Sequence, residues 1–250
     1  MNVVLPSSRR RVPCEQCPLR AMPGFREFEP AELRFVSSFK TGELIAETGT
    51  TLLSEGNHSA HLYTLLSGWA FRYKTLPDGR RQILNYMLPG DLIGLQGSVI
   101  GEMQHSVEAL SPLVLCVFQR DRLGELFRNH PGLGFDITWL AAQEERMLDD
   151  HLLSLGRRSA MERGAYLIAF LYHRAASVGL ASRNLYLPVT QAHVADTLGL
   201  SIVHTNKTLR KLADRSLIRW LDRSCEVLDV DGLMEVAGWD EPELRRRPLI

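Results

Sequence analysis

Apolar and polar positions along this chain change their period twice. Over Pro30–Phe39 the apolar Leu33, Phe35, Val36 and Phe39 fall at helical spacing. Between Lys40 and Phe118 the helical period disappears. Short apolar runs at 61–68, 69–76, 81–87 and 113–118 are cut by Gly42, Gly49, Gly56, Gly68, Gly79, Gly90 and Gly94. Turn signals at roughly ten-residue spacing predict a β-sandwich or barrel with antiparallel pairing. Helical spacing then returns, with a short helix over 121–127 and a long one over 133–155. In the long helix Ile137, Leu140, Met147, Leu148, Leu152 and Leu155 make a stripe wider than one seam, so two faces should be buried, one by the β-domain and one by a second copy. Glu144 and His151 are expected to be solvated at the edge of that stripe.

Gly156-Arg157-Arg158 interrupts the long helix, and Ser159 with Glu162 has capping-box spacing for the next, which carries Tyr166, Leu167, Phe170 and Leu171 inward. After a short strand at 185–189, residues 190–212 read as two short helices. Val194 and Leu198 share a face, Gly199 sits where a left-handed residue ends the first helix, and Ser201 can cap the second. Leu200, Leu209 and Leu212 would hold that second helix down, leaving Ser201, Ile202, Val203, Asn206, Lys207 and Arg210 outward. This is helix-turn-helix spacing, whose second helix enters the DNA major groove. The runs 217–221 and 227–230 around Asp222-Arg223-Ser224 read as a wing, with Arg223 near its tip. An ordinary helical hairpin gives the same local spacing, so the elements on either side carry the distinction.

With 250 residues, 45% of them hydrophobic, the chain can form two ordinary domains. Formal net charge is zero, but Lys207, Arg210, Lys211, Arg215, Arg219 and Arg223 face only Asp214 and Asp222 within their stretch, a local +4, and residues 224–243 carry only acids. That island suits a phosphate-contacting surface. Residues 1–13 read as a basic lead, no apolar run is long enough for a bilayer, and Arg9-Arg10-Arg11 without a following apolar segment is not a secretory signal. A cytoplasmic protein without a membrane partner is expected. Its four cysteines, Cys14, Cys17, Cys116 and Cys225, are then expected as thiols or metal ligands. No phosphate loop, nucleophile motif or convergent acid–base set is present, which argues against an enzyme; a small-molecule-binding protein without DNA activity is the alternative from another class.

The order of parts, with Leu66-Ser67-Gly68, the 88–94 stretch Leu-Pro-Gly-Asp-Leu-Ile-Gly and the 157–170 segment, resembles the Crp/Fnr family of bacterial transcription regulators over nearly the whole chain. The resemblance implies an α+β architecture: a cysteine-containing lead at 1–24, a jelly-roll-like β-roll of cyclic-nucleotide-binding type at 25–132, a dimerisation helix at 133–156, and a winged helix-turn-helix domain at 157–250. It further implies a homodimer on double-stranded DNA, with RNA polymerase as a further partner. Thr190 and Ser201 would contact phosphate, and Ile202, Val203 and Lys207 occupy the places of the reading set. Ile202 and Val203 offer only apolar contacts, so His204, Asn206 and Arg210 must supply polar ones; Gln191 and Arg223 complete the expected DNA-binding set.

The resemblance also places a nucleotide pocket at Gly90-Asp91-Leu92 and His105-Ser106. His105 stands where cyclic-AMP-binding members carry a phosphate-clamping arginine, so cyclic AMP is not expected as a ligand. Cys14, Cys17 and Cys116 match three ligands of the iron–sulfur cluster of the Fnr branch, while Pro23 falls at the remaining position and cannot ligate iron. A cluster, zinc, a thiol redox site and plain buried residues all remain open for these cysteines. His58 and His61 are expected as edge histidines, since a strand start turns them to different faces.

Overall fold

The computed structural model describes residues 12–180, 185–240 and 246–250; most of the basic lead, 1–11, lies outside them. Its contacts form two compact units. One comprises residues 1–70, 87–143 and 245–250, the other 71–86 and 144–244. These limits differ from the expected boundaries: the division falls inside the long helix, a segment from the middle of the β-region joins the second unit, and the last residues join the first.

In the first unit, 3₁₀ turns at Cys14–Gln16 and Pro18–Ala21 lead to α1 (Pro30–Phe39). Strands β1 (Lys40–Ala46), β3 (His61–Ser67), β6 (Leu92–Ile93) and β8 (Leu113–Gln119) form a sheet in the order β1-β8-β3-β6. Its pairs are antiparallel, with Glu43 and Thr64 both opposite Cys116. The two-residue strand period separates two cores. Leu62, Cys116 and Phe118 pack with Val36, Phe39, Leu126 and Ile137 on one face, while Leu65, Leu115, Ile93 and Val107 pack on the other. Strands β2 (Thr51–Leu53) and β7 (Ser106–Ala109) pair antiparallel. Residues Leu95–Ile100, for which no element was expected, form the short helix α2, entered through Gly94 at φ 96°. The expected short helix near 121–127 is a 3₁₀ turn, Arg120–Arg122, followed by α3 (Leu123–Asn129).

The long helix α4 runs Pro131–Arg157. Phe135, Leu148, Leu152 and Leu153 on it are exposed, whereas Leu133, Ile137, Leu140 and Met147 are buried. Glu144 and His151 correct the expectation of a solvated edge. Glu144 Oε2 pairs with Arg72 Nη2 at 2.6 Å, and the His151 ring lies against Tyr166 and Phe170 with centroids 5.9 and 4.9 Å away. Their partners come from distant sequence, which is why spacing within the helix did not reveal them.

The second unit is built around α5 (Ala160–Ser177). Its N-terminus is closed by reciprocal Ser159 and Glu162 hydrogen bonds, and it packs on α7 (Ile202–Asp214) and α8 (Val230–Ala237). Helix α6 (Gln191–Leu198) ends at Gly199 in the left-handed region, φ 63°, turning the chain into α7. Strands β9 (Tyr186–Leu187), β10 (Ile218–Trp220) and β11 (Cys225–Val227) make a small sheet in the order β10-β11-β9. Strands β4 (Ala70–Thr75) and β5 (Arg81–Met87) are hydrogen-bonded neighbours, and their residues 71–86 belong to this unit.

Candidate nucleic-acid interface and cysteine pocket

Helix α7 divides its faces cleanly. Thr205, Thr208, Leu209 and Leu212, at spacings of three and four, are buried; Ser201, Ile202, Val203, His204, Asn206, Lys207 and Arg210 are exposed. Ile202 and Val203 are 46% and 61% exposed, which for aliphatic side chains at a helix N-terminus leaves an apolar face without cover. Ser201 Oγ accepts the His204 N–H at 3.3 Å. Thr190 Oγ1 accepts the His193 N–H at 3.2 Å, and His193 Nδ1 accepts the Thr190 N–H at 3.2 Å. Each capping hydroxyl therefore keeps its own proton to donate outward. Gln191 follows in the first turn of α6 and is partly exposed. Arg223 is exposed in the β10–β11 turn, which Leu221 closes by donating its N–H to the Ser224 carbonyl at 2.9 Å.

The β4–β5 hairpin grips α6, a relation no local sequence signal announced. Arg81 Nε and Nη2 both reach Asp196 Oδ2 at 2.8 Å, and Gln82 Nε2 donates to the Thr197 carbonyl at 2.9 Å. Thr197 Oγ1 donates to the His193 carbonyl at 2.7 Å, so the Tyr86 hydroxyl is the donor in the 2.8 Å contact between Tyr86 and Thr197. Arg174 Nη1 donates to the Tyr86 carbonyl at 2.5 Å. The His193 ring lies 5.3 Å from that of Phe71, and its pKa is pushed down to about 4, first by burial and then by Arg81. Neutral His193 fits its capping role, because Nδ1 must be an acceptor there.

Tyr86 is fully buried, so Thr197→Val should cost about 1 kcal/mol, because the Tyr86 hydroxyl loses the 2.8 Å contact and keeps only the one to the His193 carbonyl at 3.5 Å. Urea unfolding monitored by circular dichroism measures this. The double variant Tyr86→Phe/Thr197→Val should recover part of the loss, since both ends of the bond are then removed.

In the first unit, strand periodicity sets Thr64, Leu66, Cys116 and Phe118 on one face of the β3–β8 pair. Together with Cys14, Cys17, Arg20, Phe28, Val36, Leu249 and Ile250 they line one pocket. The lead is pinned there by Lys40, whose Nζ donates to the Val12 carbonyl at 2.8 Å and meets Glu43 Oε1 at 2.6 Å. Burial pushes the Cys116 thiol up to about 12 and also raises Cys14; Lys40 opposes both shifts. Cys17 is partly exposed, and Cys225 lies buried in β11 of the other unit with its thiol likewise pushed up to about 12 by burial. Among the described residues no group of three or more His, Cys, Asp and Glu is placed to hold a metal. The pocket is largely apolar, with Leu249 and Ile250 in its lining, and among the described residues its three thiols lack a fourth thiolate, so these residues do not fit a four-thiolate cluster.

The nucleotide-pocket residues are engaged in backbone geometry. Gly90, at φ 89°, donates its N–H to the Leu65 carbonyl at 2.7 Å, and Leu92 pairs with Thr64. Asp91 is 3% exposed. Its Oδ2 accepts the Leu88 N–H at 2.7 Å, and its Oδ1 meets Arg247 Nη2 at 2.6 Å. Ser106 Oγ accepts the Glu55 N–H at 3.0 Å, and His105 is buried. His58 Nδ1 lies 2.5 Å from the Gly101 carbonyl, whereas His61 neighbours Tyr63, so the two do not form a pair. Among the described residues no helix is long and apolar enough to cross a membrane.

Residues 43–130 match the cyclic nucleotide-binding domain family, and residues 165–236 the Crp-like helix-turn-helix domain family. The chain is 32% identical to the nitrogen fixation regulation protein FixK of Bradyrhizobium diazoefficiens over 86% of its own length and 90% of that protein's. It is 33% identical to the transcriptional activatory protein AadR of Rhodopseudomonas palustris over 71% of this chain and 74% of that one. Among solved structures, FixK2 from Bradyrhizobium japonicum superposes with a TM-score of 0.70 at 25% identity, covering 80% of this chain and 98% of that chain. A β-roll, a long helix and a capped helix pair with its wing, matched along most of the length of named regulators, establish that this chain belongs to the Crp/Fnr family of transcription regulators.

Proposed function

We propose that this chain acts as a cytoplasmic homodimer that reads a specific DNA site through the outward face of α7 and addresses RNA polymerase from it. The single observation carrying this reading is that face: Ile202, Val203, His204, Asn206, Lys207 and Arg210 are exposed together, beside capping hydroxyls at Thr190 and Ser201 and the exposed Arg223. Lys207 is the cation suited to a guanine edge. Ile202 and Val203 suit thymine methyls, Arg210, Gln191 and Arg223 suit the phosphate backbone, and His204 and Asn206 can add polar base contacts. The exposed Phe135, Leu148 and Leu152 on α4 suit a second copy, whose reading head would then meet the other half-site.

Fluorescence anisotropy with DNA selected from a genomic pool tests the proposal. Binding should weaken steeply with salt, and Lys207→Ala should lose about 1–3 kcal/mol on the selected site while changing non-specific affinity little. Equal loss on all sequences would place Lys207 on phosphate instead. Convergence of Cys14, Cys17 and Cys116 on one pocket favours a second, compatible element: a sensory role for thiols rather than for an iron–sulfur cluster.

A further inference from the structure

Residues 246–250, which follow the helix-turn-helix region in sequence, belong to the first unit and lie beside the cysteines. Arg26 donates its N–H to the Arg247 carbonyl, and Arg247 donates its own to the Gly24 carbonyl, each at 2.9 Å, a parallel bridge between Phe25 and Arg247. The Arg247 guanidinium reaches Asp91 Oδ1 at 2.6 Å and the Gly90 carbonyl at 3.2 Å, and lies 5.5 Å from the Phe25 ring centre. Leu249 and Ile250, each 4% exposed, close the pocket that Cys14, Cys17 and Cys116 line, and Thr64 Oγ1 donates to the Ile250 backbone oxygen.

The strand wall of the pocket and the start of the lead have holds of their own. Strands β3 and β8 are paired along their length, and Lys40 and Glu43 hold the lead beside them. A short segment held by two backbone bonds, the Arg247 contacts to Asp91, Gly90 and Phe25, the Thr64 bond and two aliphatic side chains can leave without unfolding what it covers.

We propose that residues 247–250 are a removable plug that gates chemical access to the Cys14 and Cys116 thiols. The proposal deepens the sensory reading of the cysteines. With the plug seated, both thiols sit in an apolar pocket that favours the protonated, unreactive form. With it withdrawn, water enters while Lys40 stays in place beside both sulfurs, so the thiolate gains and the burial penalty falls. Asp91 then has its own role: it is the anchor for Arg247.

The test uses the full chain and 4,4′-dithiodipyridine. A cysteine thiolate attacks the reagent's S–S bond, forms a protein–pyridyl disulfide and expels pyridine-4-thiolate, which takes up the proton the thiol released and becomes 4-thiopyridone. Mass analysis of peptides assigns each site. In the wild type Cys17 should react quickly and Cys14, Cys116 and Cys225 slowly. Arg247→Ala, and separately Leu249→Ser/Ile250→Ser, should speed Cys14 and Cys116 at least tenfold and leave Cys225 slow. Adding the pentapeptide of residues 246–250 to Arg247→Ala should restore protection saturably, and the same peptide with glutamate in place of Arg247 should not.

Unchanged rates at Cys14 and Cys116 in both variants overturn the plug, as does equal acceleration of Cys225, which would mark general loosening. DNA affinity before and after pyridylation separates the two readings. Gating without any change in affinity upholds the plug and overturns the sensory role of the thiols; gating with a change upholds both.

Discussion

Acidification from pH 6.5 towards pH 4 should strip this protein of stability, and His151→Phe should remove much of that sensitivity. His151 is pushed down to about 4, first by burial and then by the Arg174 and Arg72 charges, against an ordinary value near 6.5. Its Nε2 is buried without a hydrogen-bond partner among the described residues, so a proton arriving there would find two guanidiniums and no acceptor. The unfolded chain therefore binds more protons than the folded one between the two values. Stability contributed by neutral His151 is full above about pH 6.5 and is lost as pH falls through the window. The difference between the two values corresponds to roughly 3 kcal/mol.

His193, also pushed down to about 4, acts in the same direction, with a smaller effect because it is partly exposed and screened. Its protonation would also cost the Nδ1 acceptor that caps α6. Urea midpoints between pH 4 and 8 measure the slope. A wild-type midpoint flat across this range, or a His151→Phe slope equal to the wild type's, would contradict the assignment.

Gly68→Ala should destabilise the first unit by on the order of 3–5 kcal/mol, the size expected when a forbidden backbone angle and a backbone clash coincide. Gly68 has φ 92°, and a Cβ there would come within 2.2 Å of the Pro112 carbonyl oxygen and 2.8 Å of a Leu113 methyl. The carbonyl belongs to the chain entering the central strand β8, so relief would require moving β8 itself. Gly79 makes the useful contrast. Its φ is 87°, but nothing lies within 4 Å of its Cβ position, so Gly79→Ala should cost only the backbone strain. Parallel urea titrations of the two variants should separate by several kcal/mol.

What could be read in the sequence was what is local. The α6–α7 pair was legible because its buried residues recur every three or four positions and Gly199 marks the turn, both properties of adjacent residues. The strands around Leu66-Ser67-Gly68 were legible through their glycines, and Arg223 through its place between two short apolar runs. Three features were not legible, two of them because their partners lie on other elements. His151 looked like a solvated helix edge because the rings packed on it, Tyr166 and Phe170, and the charges that act on it, Arg72 and Arg174, lie on other elements. The Asp91–Arg247 pair could not be read because its two members stand 156 residues apart in sequence. Helix α2 offered no period to detect in six residues, and its Gly97 packs against Met103, where a Cβ would stand 2.8 Å from the sulfur. Grouping of the three cysteines was implied by family resemblance, whereas the aliphatic pair that closes their pocket carried no signal.

The grip of the β4–β5 hairpin on α6 also divides the labour of change between the two helices of the reading head. Asp196 and Thr197 answer to Arg81, Gln82 and Tyr86, so they are not at liberty to drift as the preferred operator drifts. Ile202, Val203, Asn206, Lys207 and Arg210 answer to nothing else in the described fold. On the proposed reading of α7, a lineage of such regulators can therefore acquire a new vocabulary by substitution on one helix face alone, while the helix beside it stays tied to the strands that hold it.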